Sequence, residues 1–265
     1  MIDIHSHILP GLDDGAGSVE VSLAMARRAA ADGIRVMVAT PHVITGLYPN
    51  GRATILAAVE RLQRVFKDNG IDLSLLPGAE YRLEPDLPRR LARGELLTVN
   101  DGGRYLLVEM PAALVPDYAG QVFYELQLQG LTPIIAHPER NEGFARDHGL
   151  LHGLVSHGAL VQITAGSLTG LLGSAAAANA RAFLKQGCVH FIATDAHTAG
   201  DHRAPVLAAA SGEAARLAGE EEGISLVTGN PRRAIRGERI ETGEIKDLRS
   251  GRRGIFGFIR KYLPE

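Results

Sequence analysis

Short apolar, β-branched runs alternate along this chain with longer stretches whose apolar residues recur at helical spacing. The first run is 2–5, Ile2-Asp3-Ile4-His5. A helix is predicted from Ser18, an N-cap residue, to Asp32-Gly33, a stop signal. Residues 34–40 read as a second strand, ended by Pro41. A helix over 52–70 leads to a third strand at 73–76, and 85–93 make a short helix. Strands are predicted at 105–110, 132–137, 160–164 and 189–194. Helices over 118–130, 147–158 and 174–187 separate them. Residues 225–240 are expected to form a last helix, with Asn230-Pro231 as its cap and first turn.

Seven near-continuous apolar strands joined by helices indicate a parallel sheet covered on both faces. A doubly wound open sheet and a closed TIM-like barrel both satisfy that pattern. The polar residues discriminate. His5 and His7 follow strand one, His42 strand two and Glu80 strand three. Glu109 ends strand four, His137 strand five, and Asp195 and His197 follow strand seven. In a barrel such strand ends converge on one mouth; in an open sheet they spread along a line. The fold expected is therefore an α/β barrel with seven strands.

Composition narrows the class. The 265 residues carry 28 Lys+Arg against 30 Asp+Glu, without the basic excess of a dedicated nucleic-acid binder. A hydrophobic content of 45% is that of a globular chain. One cysteine excludes an internal disulfide framework and points to a reducing, cytoplasmic setting. No apolar run reaches the roughly 18 residues of a membrane span, and the N-terminus does not read as a signal peptide. Residues 1–240 are expected to form one domain and 241–265 a tail. Within 249–265 stand five basic residues and one acidic residue, interleaved with Ile255, Phe256, Phe258, Ile259, Tyr262 and Leu263. That segment reads as an amphipathic basic helix for anionic lipid or a partner, or as a tail packed on the body. Nothing in the sequence excludes self-association.

His5-Ser6-His7 places two imidazoles on one face of an extended segment, within reach of one metal. Asp195-Ala196-His197 repeats the spacing with an oxygen and a nitrogen ligand. Buried imidazoles and carboxylates need partners, because an unpaired buried charge costs several kcal/mol. Four carboxylates (Asp14, Glu80, Glu109, Asp195) and five imidazoles (His5, His7, His42, His137, His197) match a cluster of two or three divalent ions. The mixed N/O set without thiolate suits Mn, Fe or Zn. Arg140 in His137-Pro138-Glu139-Arg140, and Arg203, are candidates to bind phosphate, with salt bridging as the plainer role. His148 and His152 share one helix face, expected at the surface with His157; His190 is expected to be satisfied locally. Cys188 lacks the arginine of a Cys-x5-Arg phosphate loop, since Thr194 holds that place, and reads as buried and inert.

Taken in order, these residues resemble a family. Asp3-Ile4-His5-Ser6-His7-Ile8-Leu9-Pro10-Gly11-Leu12-Asp13-Asp14-Gly15 is similar to the opening motif of the polymerase-and-histidinol-phosphatase (PHP) superfamily, in the form of its bacterial protein-tyrosine phosphatase branch, the CpsB/YwqE type. Thr40-Pro41-His42, Gly78-Ala79-Glu80, Val108-Glu109-Met110-Pro111, Ala136-His137-Pro138-Glu139-Arg140, Gln162-Ile163-Thr164-Ala165-Gly166-Ser167 and Ala193-Thr194-Asp195-Ala196-His197 resemble its successive motifs, over about residues 1–236. The resemblance implies a distorted TIM-like (β/α)7 barrel of the PHP type and three divalent ions, usually manganese. It places His5, His7, Glu80 and Asp195 on one metal. Asp14, His42 and His197 take the second, and Glu80, Glu109 and His137 the third. Asp14 rather than Asp13 is assigned on the motif alone. The activity implied is hydrolysis of phosphotyrosine by a metal-activated hydroxide, on a bacterial tyrosine kinase that governs capsular or exopolysaccharide synthesis. The alternatives are a histidinol-phosphate phosphatase-like phosphoesterase and, further off, an amidohydrolase. The latter often uses a bridging carbamylated lysine, and no Lys stands at a strand end here. The chain departs from the branch at Val43, where a second His often follows Thr-Pro-His, and in a 197–203 loop one residue longer.

Overall fold

The computed structural model describes residues 1–241; the tail expectation for 249–265 falls outside the described residues. Nine parallel strands are described: β1 (Ile2–Ser6), β2 (Val36–Ala39), β3 (His42–Val43), β4 (Ser74–Pro77), β5 (Glu80–Arg82), β6 (Tyr105–Glu109), β7 (Thr132–Ala136), β8 (Leu160–Thr164) and β9 (Phe191–Ala193). They form a three-stranded sheet in the order β1-β2-β4 and a six-stranded sheet in the order β3-β5-β6-β7-β8-β9.

All seven expected strands are present, with shifted ends, and two short ones are added. The additions follow β2 and β4, where the chain leaves one sheet and enters the other. Pro41, which has no N–H to give to a ladder, separates β2 from β3. Gly78-Ala79 separates β4 from β5, and a Cβ on Gly78 would lie 2.7 Å from Val38 Cγ1. Backbone hydrogen bonds extend each ladder into these breaks. Thr40 N–H donates to Ser6 O (2.8 Å) and Glu80 N–H to Pro41 O (3.1 Å). On the other side of β1, Asp195 N–H donates to His5 O (2.9 Å) and His7 N–H to Ala196 O (2.8 Å).

Side-chain alternation divides the core into two layers. Leu106, Val108, Ile135, Val161, Ile163 and Ile192 face the helices. Ile4, Val38, Leu107, Ile134, Leu160 and Phe191 pack on the opposite face, where Val99, Ala234 and Ile240 join them. Along that inner face the next residues toward the strand C-termini are polar: Glu109 after Leu107, Gln162 after Leu160 and Asp195 after Ala193. The apolar inner layer is thus the floor of a polar site. In β1 the register shifts between Asp3 and Ser6, which resets the alternation after Ile4.

The expected helices form at Val19–Ala31, Arg52–Asp68, Leu87–Ala92, Ala119–Leu128, His148–Ser156 and Ser174–Lys185. Ser18 caps the first, its hydroxyl accepting from Val21 N–H at 3.4 Å. The last helix is shorter than expected, Gly229–Ile235. Two helices at Ala208–Ala218 and Glu220–Ser225 precede it, without a counterpart in the sequence reading. Among the described residues no helix is long and apolar enough to cross a membrane.

Candidate metal centre

The strand ends bring the nine predicted ligands into one cluster. The side chains of His5, His7 and Glu80 are fully buried and that of Asp195 is nearly so. His5 Nε2 lies 3.1 Å from His7 Nε2. Both nitrogens are 3.3 Å from Glu80 Oε2. They are 3.4 and 3.3 Å from Asp195 Oδ1. His5, His7 and Glu80 therefore lie within mutual reach of one ion, and Asp195 of the expected first group stands beside the two imidazoles. Asp14 Oδ1 lies 3.6 Å from His42 Nε2 and 3.4 Å from His197 Nε2, the expected second group. His7 also falls within this group, so its ring borders two of them.

The third group differs from expectation. His137 Nε2 sits 2.9 Å from Glu80 Oε1, as anticipated. The imidazole that joins Glu80 and Glu109, however, is His42, with Nδ1 at 3.0 Å from Glu80 Oε2 and 3.7 Å from Glu109 Oε1. Arg82 holds the same Glu109 oxygen at 3.0 Å.

Backbone conformation helps aim the ligands. His137 (φ 33°) and Asp195 (φ 50°) occupy the left-handed region, which is unfavourable for residues with a Cβ. Both follow strands whose preceding residues are fixed in the ladder. Gly15 lets the 11–16 loop close over His7: a Cβ there would sit 2.1 Å from His7 O. Val43 alternates away from His42 into the apolar core.

A surrounding set of hydrogen bonds fixes ring orientation, and the sequence reading missed most of it. Asp13 Oδ2 accepts from His7 Nδ1 (2.7 Å) and from the His42 backbone N–H (2.9 Å). Gln162 Oε1 accepts from His5 Nδ1 (2.8 Å). His197 Nδ1 donates to Asp195 O (2.9 Å). Each bond leaves the opposite nitrogen, Nε2, to face the cluster. Asp13 thus orients a ligand, whereas Asp14 carries an oxygen into the cluster. Asp3, fully buried, accepts from Thr194 N–H (3.0 Å) and braces the turn into Asp195. Gln162 had left a trace in the sequence: an amide in the middle of an otherwise apolar strand.

Charge in the cluster is unbalanced without cations. Burial pushes the carboxyls of Glu80 and Asp195 up, yet His5 and its neighbouring imidazoles hold both well below the usual carboxylate range. His197 holds Asp14 down as well. Burial disfavours a proton on His7, but Asp13, Asp195 and Glu80 outweigh it and hold the ring well above its usual range. His5 moves the same way, against burial, through Glu80 and Asp195. The carboxylates thus demand positive charge. Glu80 Oε2, His42 Nδ1 and His197 Nε2 are buried and, although they approach one another or Asp14, none of them makes an aligned hydrogen bond. Orphaned atoms of this kind, in an all-N/O set, fit divalent cations.

Two guanidinium groups stand beside the cluster. Arg140 donates from Nη1 to Asp195 Oδ2, and Arg203 Nη2 lies 3.2 Å from the same oxygen. Both make the expected plainer contact, a salt bridge, at the edge of the site. The other histidines lie elsewhere. His190 Nδ1 accepts from Val161 N–H at 3.1 Å, so it is satisfied locally. His148 and His152 were expected on a surface face. They instead turn toward the helix Ser174–Lys185 and its end: His152 bonds Gln186 (3.0 Å), and His148 packs edge-on to Phe183 at 4.8 Å.

Comparison with known proteins covers most of the described body. A tyrosine-protein phosphatase, YwqE of Bacillus subtilis, is 45% identical over 197 residues, covering 74% of this chain and 77% of that protein. The tyrosine-protein phosphatase CpsB of Streptococcus pneumoniae is 29% identical over 245 residues, covering 91% of this chain and 100% of its own. A crystal structure from a study of YwqE and CpsB as unique metal-dependent tyrosine phosphatases superposes with a TM-score of 0.89 at 40% identity, covering 93% of this chain and 98% of that one. A family profile described as capsular polysaccharide synthesis, CpsB/CapC, matches residues 1–236. The chain belongs to the CpsB/CapC family.

Proposed function

We propose that this protein is a metal-dependent protein-tyrosine phosphatase. The observation that carries the reading is a buried N/O cluster with orphaned ligand atoms, flanked by two arginines, in a chain whose relatives are named tyrosine-protein phosphatases. His5, His7, Asp14, His42, Glu80, Glu109, His137, Asp195 and His197 would hold three divalent ions, manganese by family resemblance. The two sheets would form one distorted (β/α)7 barrel; the hydrogen bonds between β1 and the Asp195-Ala196 segment after β9 support that. The substrate would be a tyrosine kinase serving capsular or exopolysaccharide synthesis in the cytoplasm.

Divalent ions bound here would supply a water of lowered pKa and positive charge beside the phosphoryl oxygens. The rest falls to the chain. Arg140 and Arg203, anchored on Asp195, present guanidinium N–H groups to the phosphate and stabilise charge as the ester bond breaks. Asp13 and Gln162 keep His7 and His5 in the tautomer that leaves Nε2 unprotonated. A tyrosinate leaving group has a pKa of about 10 and needs little protonation, so an aryl ester suits a site without a dedicated acid.

Purified protein should hydrolyse a phosphotyrosine peptide faster than histidinol phosphate. A chelator should abolish the activity, and manganese should restore it. Faster turnover of histidinol phosphate would move the protein to the small-molecule phosphoesterases.

A further inference from the structure

Among the described residues most large aromatic side chains are sealed in the core, among them Tyr81, Tyr105, Phe66, Phe144 and Phe191. Tyr48 is different. It is partly exposed at the mouth, and its ring lies nearly parallel to that of His42, at 11° and 5.7 Å between centroids. The loop that carries it is tightly built. Ile44 and Tyr48 exchange backbone hydrogen bonds of 3.0 and 2.9 Å across a turn containing Gly46 (φ 79°). Asn50 Nδ2 then ties the loop to Leu12 O (2.8 Å), next to Asp13, and to His42 O (2.9 Å). Tyr48 is thus a rigid aromatic wall beside a ligand of the cluster.

We propose that Tyr48 is the residue that selects aryl over alkyl phosphates, by packing against the phenyl ring of the bound ester. The proposal rests on the phosphatase reading above. Tyr48 borders His42, so an ester whose phosphate sits at the cluster would carry its organic group beside this ring. A phenyl ring is rigid and would have a face to pack on Tyr48; an alkyl chain offers none. Aromatic pairs are worth about 0.5–1.5 kcal/mol beyond the area they bury, which is roughly 2- to 12-fold in affinity. The simpler role, holding His42 in place, is already met by Asp13 on its backbone N–H and Asn50 on its carbonyl.

The test compares manganese-loaded wild type with Tyr48→Leu and Tyr48→Phe. Calorimetry with phenylphosphonate and methylphosphonate gives the binding readout, and metal analysis accompanies it. Tyr48→Leu should weaken phenylphosphonate roughly 5-fold, leave methylphosphonate unchanged and keep its metal. Tyr48→Phe should bind both ligands as wild type does. In turnover, Tyr48→Leu should raise KM for a phosphotyrosine peptide by the same factor, with kcat little changed. Equal weakening of both phosphonates would overturn the proposal and make Tyr48 a buttress for His42. So would unchanged binding of both. Wild type that prefers phenylphosphonate through Tyr48 yet fails to turn over the phosphotyrosine peptide would refute the phosphatase reading while leaving this one standing.

Discussion

His7 and His190 are both buried, and their surroundings drive them in opposite directions. Around His190 the groups are apolar or backbone. Its Nδ1 accepts a hydrogen bond from Val161 N–H, and burial pushes the ring down to about 4. His7 is buried more deeply, but three carboxylates face it, and it is held well above the usual imidazole range. Burial alone makes a histidine neutral; carboxylates around it turn the same pocket into a sink for cations. One histidine is therefore part of the architecture, and the other belongs to a site that is incomplete as pure protein.

The harshest way to break this contrast is to remove a ligand. His5→Ala or Asp195→Ala takes one donor from a group of four and leaves its partners facing one another without a shared cation. Metal content should fall, and phosphatase activity should drop below detection. Full activity in either variant, with metal measured on the same sample, would dismiss the cluster as the site. A milder cut separates ligand from orienting group. Asp13→Asn keeps every ligand but removes the charged acceptor at His7 Nδ1, so metal affinity should fall roughly 10- to 100-fold. Arg140→Ala should do the reverse: metal retained, and phosphate bound about 10-fold more weakly or worse. If Arg140→Ala lost metal and Asp13→Asn did not, the two roles would have to be exchanged.

Eight of the nine candidate ligands were legible because they stand where an apolar strand stops at a polar residue, and a parallel α/β fold gathers such ends; Asp14 came from the motif alone. Their grouping was not. Whether His42 or His137 meets Glu109 depends on how β3 and β7 sit relative to β6, a distance of tens of residues in sequence. The breaks after Ala39 and Pro77 were half-visible, as Pro41 and Gly78, but nothing local says that the chain changes sheets there. The role of Asp13 could not be read apart from that of Asp14, since the two are adjacent and chemically alike. Only the fold turns one toward His7 and the other toward His42. The helices in 208–225 are rich in Ala and Glu and carry few large apolar residues to mark a buried face. Their contact depends on small side chains, with Gly223 against Ala215, where a Cβ would come within 2.3 Å of the backbone.

His190 offers a subtler test, through pH. Its folded pKa lies below the ordinary value of 6.5, so the unfolded chain takes up the proton first as pH falls. The stability it contributes is complete above pH 6.5 and is lost progressively down to about pH 4. Between pH 7 and pH 5 the loss from this residue is about 2 kcal/mol. The metal ligands also titrate in acid, so the informative quantity is a difference. His190→Gln keeps an acceptor for Val161 N–H but cannot take up a proton. Urea denaturation of metal-free wild type and variant at both pH values should show a shallower loss in the variant. Parallel losses would mean that His190 is not held neutral.

The smallest expected effect is at Cys188. A phosphatase that attacks phosphotyrosine with sulfur needs a thiolate near neutral pH, stabilised by nearby positive charge or a helix N-terminus. Cys188 has the opposite setting. It is fully buried in the apolar core, its Sγ lies 4.0 Å from Gln186 O, and burial pushes the thiol up to about 11. It also precedes β9, whereas the cluster stands beyond that strand's C-terminal end. Cys188→Ala should therefore leave kcat/KM on a phosphotyrosine peptide unchanged and lower stability by about 1 kcal/mol for the small cavity. Iodoacetamide at pH 8 should label the thiol only after denaturation. A variant that folds, keeps its metal and loses turnover would place sulfur in the reaction and overturn the division between the cluster and the core around His190.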